Sequence, residues 1–177
     1  MSRFILRYGV IAGLLVAIPN LIMFLSMSKD SAPLGGGYLI GYTIMIVALT
    51  AVFVGVKAYR DKVLGGVIRF FPALGLGLAI SLVATVFYVV AWEICVAYGE
   101  WDFVAYYSKV IMASAPVDDP AAVQKAAAEV ESFKQMYADP FIRMAFTVIE
   151  ILPVGVLISI ISAAVLRNSR VLPARAR

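Results

Sequence analysis

Apolar positions along this chain fall into four long runs, separated by short polar intervals. The most uniform, Phe70 to Tyr98, reads FFPALGLGLAISLVATVFYVVAWEICVAY and carries no charge before Glu93. It exceeds the roughly 20 apolar residues that a helix needs to cross about 30 Å of hydrocarbon. Runs at about 8–28, 38–56 and 141–166 have the same character. The pattern therefore predicts an all-α membrane protein with four transmembrane helices in a single integral membrane domain, 1–177. The first run follows Arg3 and Arg7, as a signal sequence would, but its length and the lack of a small-x-small cleavage site read as a retained span. The first two connections are short: a Ser/Pro/Gly-rich stretch (29–37), and a charged turn at 57–62 followed by Gly65-Gly66. Such connections make neighbouring helices antiparallel, hence a four-helix bundle.

The interval 99–140 between the third and fourth runs is different. Glu100-Trp101-Asp102 and the Tyr106-Tyr107 pair read as an interfacial continuation of the third helix, broken before Pro116. Asp119-Pro120 then has the form of a helix start, an Asp cap with Pro in the first turn. The segment that follows is amphipathic, with Val123, Ala127, Val130, Phe133 and Tyr137 near one side. It is too polar to span and ends at Pro140, giving an extra helix in the long loop across the bundle's mouth.

Two stripes of small residues, Gly9-Gly13-Ala17 and Ala73-Gly77-Ser81-Thr85, recur every fourth residue. Without a hydrophobic drive between helices in lipid, close backbone approach over such stripes is what packs them. Composition agrees with the pattern: 63% of the 177 residues are hydrophobic, against about 45–50% in soluble domains, and mean hydropathy is +0.94.

The net charge of +4 and pI near 9.3 would suggest nucleic acid if taken alone. Ten of the 15 Lys and Arg, however, sit at the ends of apolar runs: Arg3, Arg7, Lys57, Arg60, Lys62, Arg69, Arg167, Arg170, Arg175 and Arg177. They act as topology signals, and Lys57, Arg60, Lys62, Arg167 and Arg170 are the expected lipid-headgroup contacts. The other end carries Lys29, Lys109, Lys125, Lys134 and Arg143, diluted by eight of the acids. By the positive-inside rule both termini are cytoplasmic and 99–139 lies outside. Trp92, Tyr98, Trp101, Tyr106 and Tyr107 would form an outer aromatic belt.

Candidate chemistry is sparse. With no His and only Cys95, the chain has no imidazole ligand, no Cys/His or Ser/His/Asp arrangement and no internal disulfide. Gly75-Leu-Gly77 lacks the strand-turn-helix context of a nucleotide loop, so no cofactor and no metal is expected. Two acids, Glu93 and Glu150, lie well inside spans, where an ionisable residue marks a functional-site hypothesis. At about 1.5 Å per residue, Glu93, Glu150, Asn20 and Thr43 share a depth of about 8–15 Å below the outer surface. They are expected to converge on one polar layer, with Tyr42, Tyr88 and Thr147 nearby. Pro19 and Pro153 lack the N–H that would close on Leu15 and Ile149, and with Gly155 they are candidate helix breaks of the kind that line transporter sites.

Several stretches together resemble a known family: Gly55-Val-Lys57-Ala-Tyr59-Arg60-Asp61-Lys62, Tyr137-Ala-Asp-Pro140, Glu150-Ile-Leu-Pro153-Val-Gly155 and Ile161-Ser162-Ala163. The chain is similar over nearly its whole length to a bacterial membrane family catalogued as a domain of unknown function, number forty-one ninety-nine. The resemblance implies a four-span architecture in a bacterial inner membrane and brings no activity with it. On these grounds the first expectation is a non-enzymatic accessory or structural/interaction subunit. Its surroundings would be the lipid bilayer, with a homo-oligomer or membrane-protein partner and no nucleic acid. The alternative is a small proton- or cation-coupled transporter or channel using Glu93 and Glu150. A carboxylate-based membrane enzyme comes third.

Overall fold

The computed structural model describes residues 1–28 and 37–174. The connection expected at 29–36, with Lys29 and Asp30, and the tail residues Arg175 and Arg177 lie outside the described residues. Six helices are present among those described: α1 (Ser2–Leu25), α2 (Gly37–Val63), α3 (Phe70–Tyr98), α4 (Phe103–Ser114), α5 (Pro120–Ala138) and α6 (Pro140–Leu166). Of these, α1, α2, α3 and α6 are long and apolar enough to cross a membrane. Their outward faces carry large apolar side chains, Phe71 at 79% and Leu39 at 74% exposure among them. That surface suits hydrocarbon, where helices satisfy their own backbone bonds. The chain is a membrane protein.

The bundle is arranged around α3, which packs on α1 and on α6, while α2 closes it against α1 and α6. Both stripes of small residues are buried at these contacts. Gly13 of α1 rides on Phe87 of α3 so closely that a Cβ there would lie 2.6 Å from the ring. On the opposite side of α3, a Cβ on Gly77 would meet Ser159 of α6 at 3.0 Å, and one on Gly155 would meet Ser81 at 2.9 Å. This close approach lets the Ser81 hydroxyl reach the Gly155 carbonyl (3.3 Å) and the Ser159 hydroxyl (3.3 Å) across the interface. Dispersion contacts and hydroxyl–carbonyl bonds hold the α3/α6 pair, as expected where lipid is as apolar as leucine.

Three helices start on the same device. Asp102 accepts from the Ala105 N–H, Asp119 from those of Ala121 and Ala122, and Asp139 from those of Phe141 and Ile142. Each carboxylate satisfies orphan donors of a first turn. Asp-Pro occurs at both the α5 and α6 starts, so Pro140 ends one helix and opens the next.

Four expectations need correction. First, residues 57–62 are helical: α2 runs to Val63 because the Lys57–Asp61 pair (2.5 Å) sits at i,i+4, and no breaker occurs before Gly65 and Gly66. Those two glycines hold φ of 65° and 96°, which only glycine adopts at low cost, and the Gly66 N–H returns to the Arg60 carbonyl. Second, α4 is a separate helix rather than a continuation of α3, since Gly99 is extended and Asp102 recaps the chain. Third, α5 buries Ala126, Val130 and Tyr137, whereas Ala127 faces out. Fourth, α1 and α6 pass through Pro19 and Pro153 unbroken. The freed carbonyls belong to exposed Leu15 and Ile149, and Pro153 is itself exposed, whereas Pro19 is half-buried.

Candidate functional site

α4 and α5 form a hairpin with a small core of its own (Ile111, Ala126, Val130) and sit on one end of the bundle. The attachment is built by α3, α5 and α6 together. Arg143, in the first turn of α6, donates from Nε to Glu93 Oε1 (2.9 Å) and from Nη2 to Glu93 Oε2 (2.5 Å). Its Nη1 donates to the Tyr137 carbonyl at the end of α5 (3.1 Å), and its guanidinium carbon lies 5.8 Å from the centre of the Tyr137 ring. The Tyr137 hydroxyl in turn accepts from the Trp92 indole N–H (2.7 Å). Side-chain exposures of 13% for Arg143 and 24% for Glu93 leave the pair mostly sheltered, in the geometry of a two-pronged charge-assisted bond. Burial pushes the Tyr137 phenol above its ordinary range, with the Trp92 bond opposing.

The rings expected to line a belt instead pack on one another. Phe24 meets Trp92 (5.1 Å) and Trp101 (5.5 Å), while Phe103 touches Trp92 (5.4 Å) and Tyr137 (5.2 Å). Tyr107 and Phe133 close the cluster at 4.8 Å. Edge-to-face and offset pairs of this kind add about 0.5–1.5 kcal/mol each beyond area burial. Tyr98 alone of the expected belt turns strongly outward, at 80% exposure.

No hydrogen bond joins Glu93, Glu150, Asn20 and Thr43 to one another among the described residues; each has a different partner. Asn20 is buried, but its amide donates within its own helix to the Val16 carbonyl (2.7 Å). Thr43 is exposed and donates to the Leu39 carbonyl (2.6 Å), again within one helix. Short polar side chains in lipid find the carbonyl four residues back before they find one another. Glu93 belongs to the hairpin attachment. Glu150 lies deeper, where it accepts from the hydroxyl of buried Tyr88 (3.1 Å). As a residue Glu150 is exposed on the flank of α6, while its carboxyl turns inward to Tyr88 in a part-buried bond. Thr147, expected near it, donates to the Arg143 carbonyl.

At the opposite, basic end a second node escaped sequence reading. Arg60 is 0% exposed. Its guanidinium donates to Asp61 (2.6 Å) and to the carbonyls of Leu166 (3.4 Å), Val171 (3.0 Å) and Leu172 (2.5 Å). It thus caps the end of α6 and folds the following segment back onto the bundle, with Leu172 at a positive φ of 49°. Arg60 reaches no headgroup, contrary to expectation, because a buried arginine with four acceptors is a structural part. Lys57 is likewise held by Asp61. Lys62, Arg167 and Arg170 remain exposed at that end.

A family model described as "Protein of unknown function (DUF4199)" matches residues 7–168. The chain belongs to that family. No curated protein matches it, nor does any solved structure. Within the matched region, the segments of this DUF4199 chain that first suggested the family carry its main polar nodes: Lys57-Arg60-Asp61, Tyr137-Asp139-Pro140 and Glu150-Pro153-Gly155.

Proposed function

We propose that this DUF4199 protein is a non-enzymatic interaction subunit of the bacterial inner membrane, a stiff four-span body with both termini cytoplasmic and its helical hairpin outside. The observation that carries this reading is the Arg143–Glu93–Tyr137–Trp92 chain, in which an intramembrane acid is used to fasten the hairpin to the bundle. A carboxylate held on both oxygens by a guanidinium suits a fixed joint better than a proton or cation carrier. Small-residue packing along α1, α3 and α6 supports the same conclusion, since interfaces this close resist the rocking that alternating access requires. The orientation rests on the basic end, where Lys62, Arg69, Arg167 and Arg170 are exposed and the acid Asp61 is held by Lys57 and Arg60.

The test is the native mass of the complex extracted into lipid nanodiscs, alongside flux measurements in proteoliposomes. A partner chain at fixed stoichiometry, without proton or cation flux, is the expected result. A single isolated copy that moves protons or cations, and loses that activity with Glu150→Gln, would overturn the reading in favour of transport.

A further inference from the structure

The flank of α6 presents a continuous outward stripe of Phe146, Ile149, Glu150, Pro153 and Leu157, at the three- and four-residue spacing of one helix face. Four of the five are apolar and suit lipid. Glu150 does not, and it stands about 15 Å along α6, near the middle of about 30 Å of hydrocarbon. Polar chemistry on this stripe is of one kind. Among the described residues the Glu150 carboxyl group has one donor, Tyr88. One residue earlier lies the Ile149 carbonyl, whose usual donor is abolished by the ring of Pro153. The stripe is therefore rich in acceptors and poor in donors. Lysine and arginine side chains carry only donors.

We propose that this stripe is a lateral docking site for a transmembrane helix of a different protein that bears a lysine or arginine near mid-span. The inference rests on the reading of the chain as an interaction subunit and names the chemistry of its partner. A second copy does not supply the cation: among the described residues, Arg143 is committed to Glu93, and Lys57 and Arg60 to Asp61. The other described cations of the spanning helices, Arg3, Arg7 and Lys62, lie near helix ends. Intramembrane charges pair with one another, so an acid left on the flank of one chain matches a base on another.

The experiment places the full-length protein in phosphatidylcholine/phosphatidylglycerol nanodiscs with a labelled host helix of leucine and alanine. That helix carries one central lysine, or leucine at the same place, and association is read by energy transfer. The lysine helix is expected to associate about tenfold more tightly than the leucine helix, the scale of a good interhelical polar contact. Glu150→Gln should erase the difference, and Ile149→Trp, on an exposed position, should block both helices without disturbing the fold. Equal association of the two helices, or discrimination that survives Glu150→Gln, overturns the proposal. So does a native mass showing a dimer of this chain that depends on Glu150. A partner of fixed stoichiometry with no intramembrane base, together with equal binding of the two host helices, would sink the lysine-helix proposal and leave the interaction-subunit reading standing.

Discussion

Arg143 grips both carboxylate oxygens of Glu93 from the start of a helix that begins 42 residues after α3 ends, at 2.9 and 2.5 Å, and the same guanidinium holds the carbonyl of Tyr137. One side chain thus ties together three helices, and the hairpin's seat depends on it. Glu93→Gln or Arg143→Gln leaves one sheltered charge without its partner. Removing one member of a buried pair costs about 3–5 kcal/mol, and the partial exposure here reduces that to about 1–3 kcal/mol. Thermal unfolding in detergent should show a lower midpoint for each variant, with faster proteolysis between Gly99 and Asp139. The exchanged pair Glu93→Arg with Arg143→Glu should recover part of the loss. Independent, additive effects of the two single changes would show that the pair carries no coupling.

Arg60 makes a sharper case. Loss of its guanidinium strands the carbonyls of Leu166, Val171 and Leu172 and leaves Asp61 with Lys57 alone. Arg60→Ala should destabilise by about 3–5 kcal/mol and expose the segment after Leu166 to carboxypeptidase. Arg60→Lys should rescue little, because an ammonium cannot span the fork of acceptors that a planar guanidinium reaches. Retention of wild-type stability by the lysine variant would reduce Arg60 to a simple charge.

Packing around α3 sets a contrast between glycines. Gly13→Val and Gly77→Val put atoms where Phe87 and Ser159 already stand, and overpacking of this kind costs about 1–3 kcal/mol. Gly75→Ala meets nothing within 4 Å and should be neutral or stabilising by about 0.5–1 kcal/mol, the ordinary helix preference for alanine. The midpoint of unfolding in a fixed detergent separates the two classes. Similar losses at all three positions would mean that α3 is not held by close approach.

The four spans were legible because a helix in lipid needs one simple property, an unbroken apolar length, and sequence displays it directly. The small-residue stripes were legible for a related reason: their period is that of the helix itself. The polar nodes were harder. Sequence marks Glu93 by its apolar surroundings, whereas its partner Arg143 reads as one of the diluted cations of the far loop, although both lie toward the ends of apolar runs at the same side of the bundle. Matching depth for opposite charges, rather than for polar residues in general, would have paired them. Arg60 was read by its charge, and only the folding back of the chain after Leu166 reveals that it is buried. Alanines at 126, 127 and 128 leave the buried face of α5 ambiguous in sequence, and packing on the α4 side selects Ala126 over Ala127.

Tyr137 gives the hairpin a pH limit. Burial raises its phenol pKa in the folded state above the ordinary value of 10.0. A group whose pKa is raised on folding contributes stability fully below its unfolded value and loses it as pH rises through the window up to the folded one. The seat of α5 should therefore weaken only above about pH 10, when the unfolded chain gives up a proton that the folded chain retains. Trp92 donates to this hydroxyl and meets the same aromatic cluster edge to face, so its fluorescence reports the event. The expected result is an alkaline change in tryptophan emission, accompanied by faster cleavage between Gly99 and Asp139 and delayed or absent in Tyr137→Phe. That variant should also be less stable near neutral pH by about 0.5–1.5 kcal/mol, the usual worth of one lost hydrogen bond. An unchanged alkaline transition in the phenylalanine variant would show that Tyr137 does not set the limit.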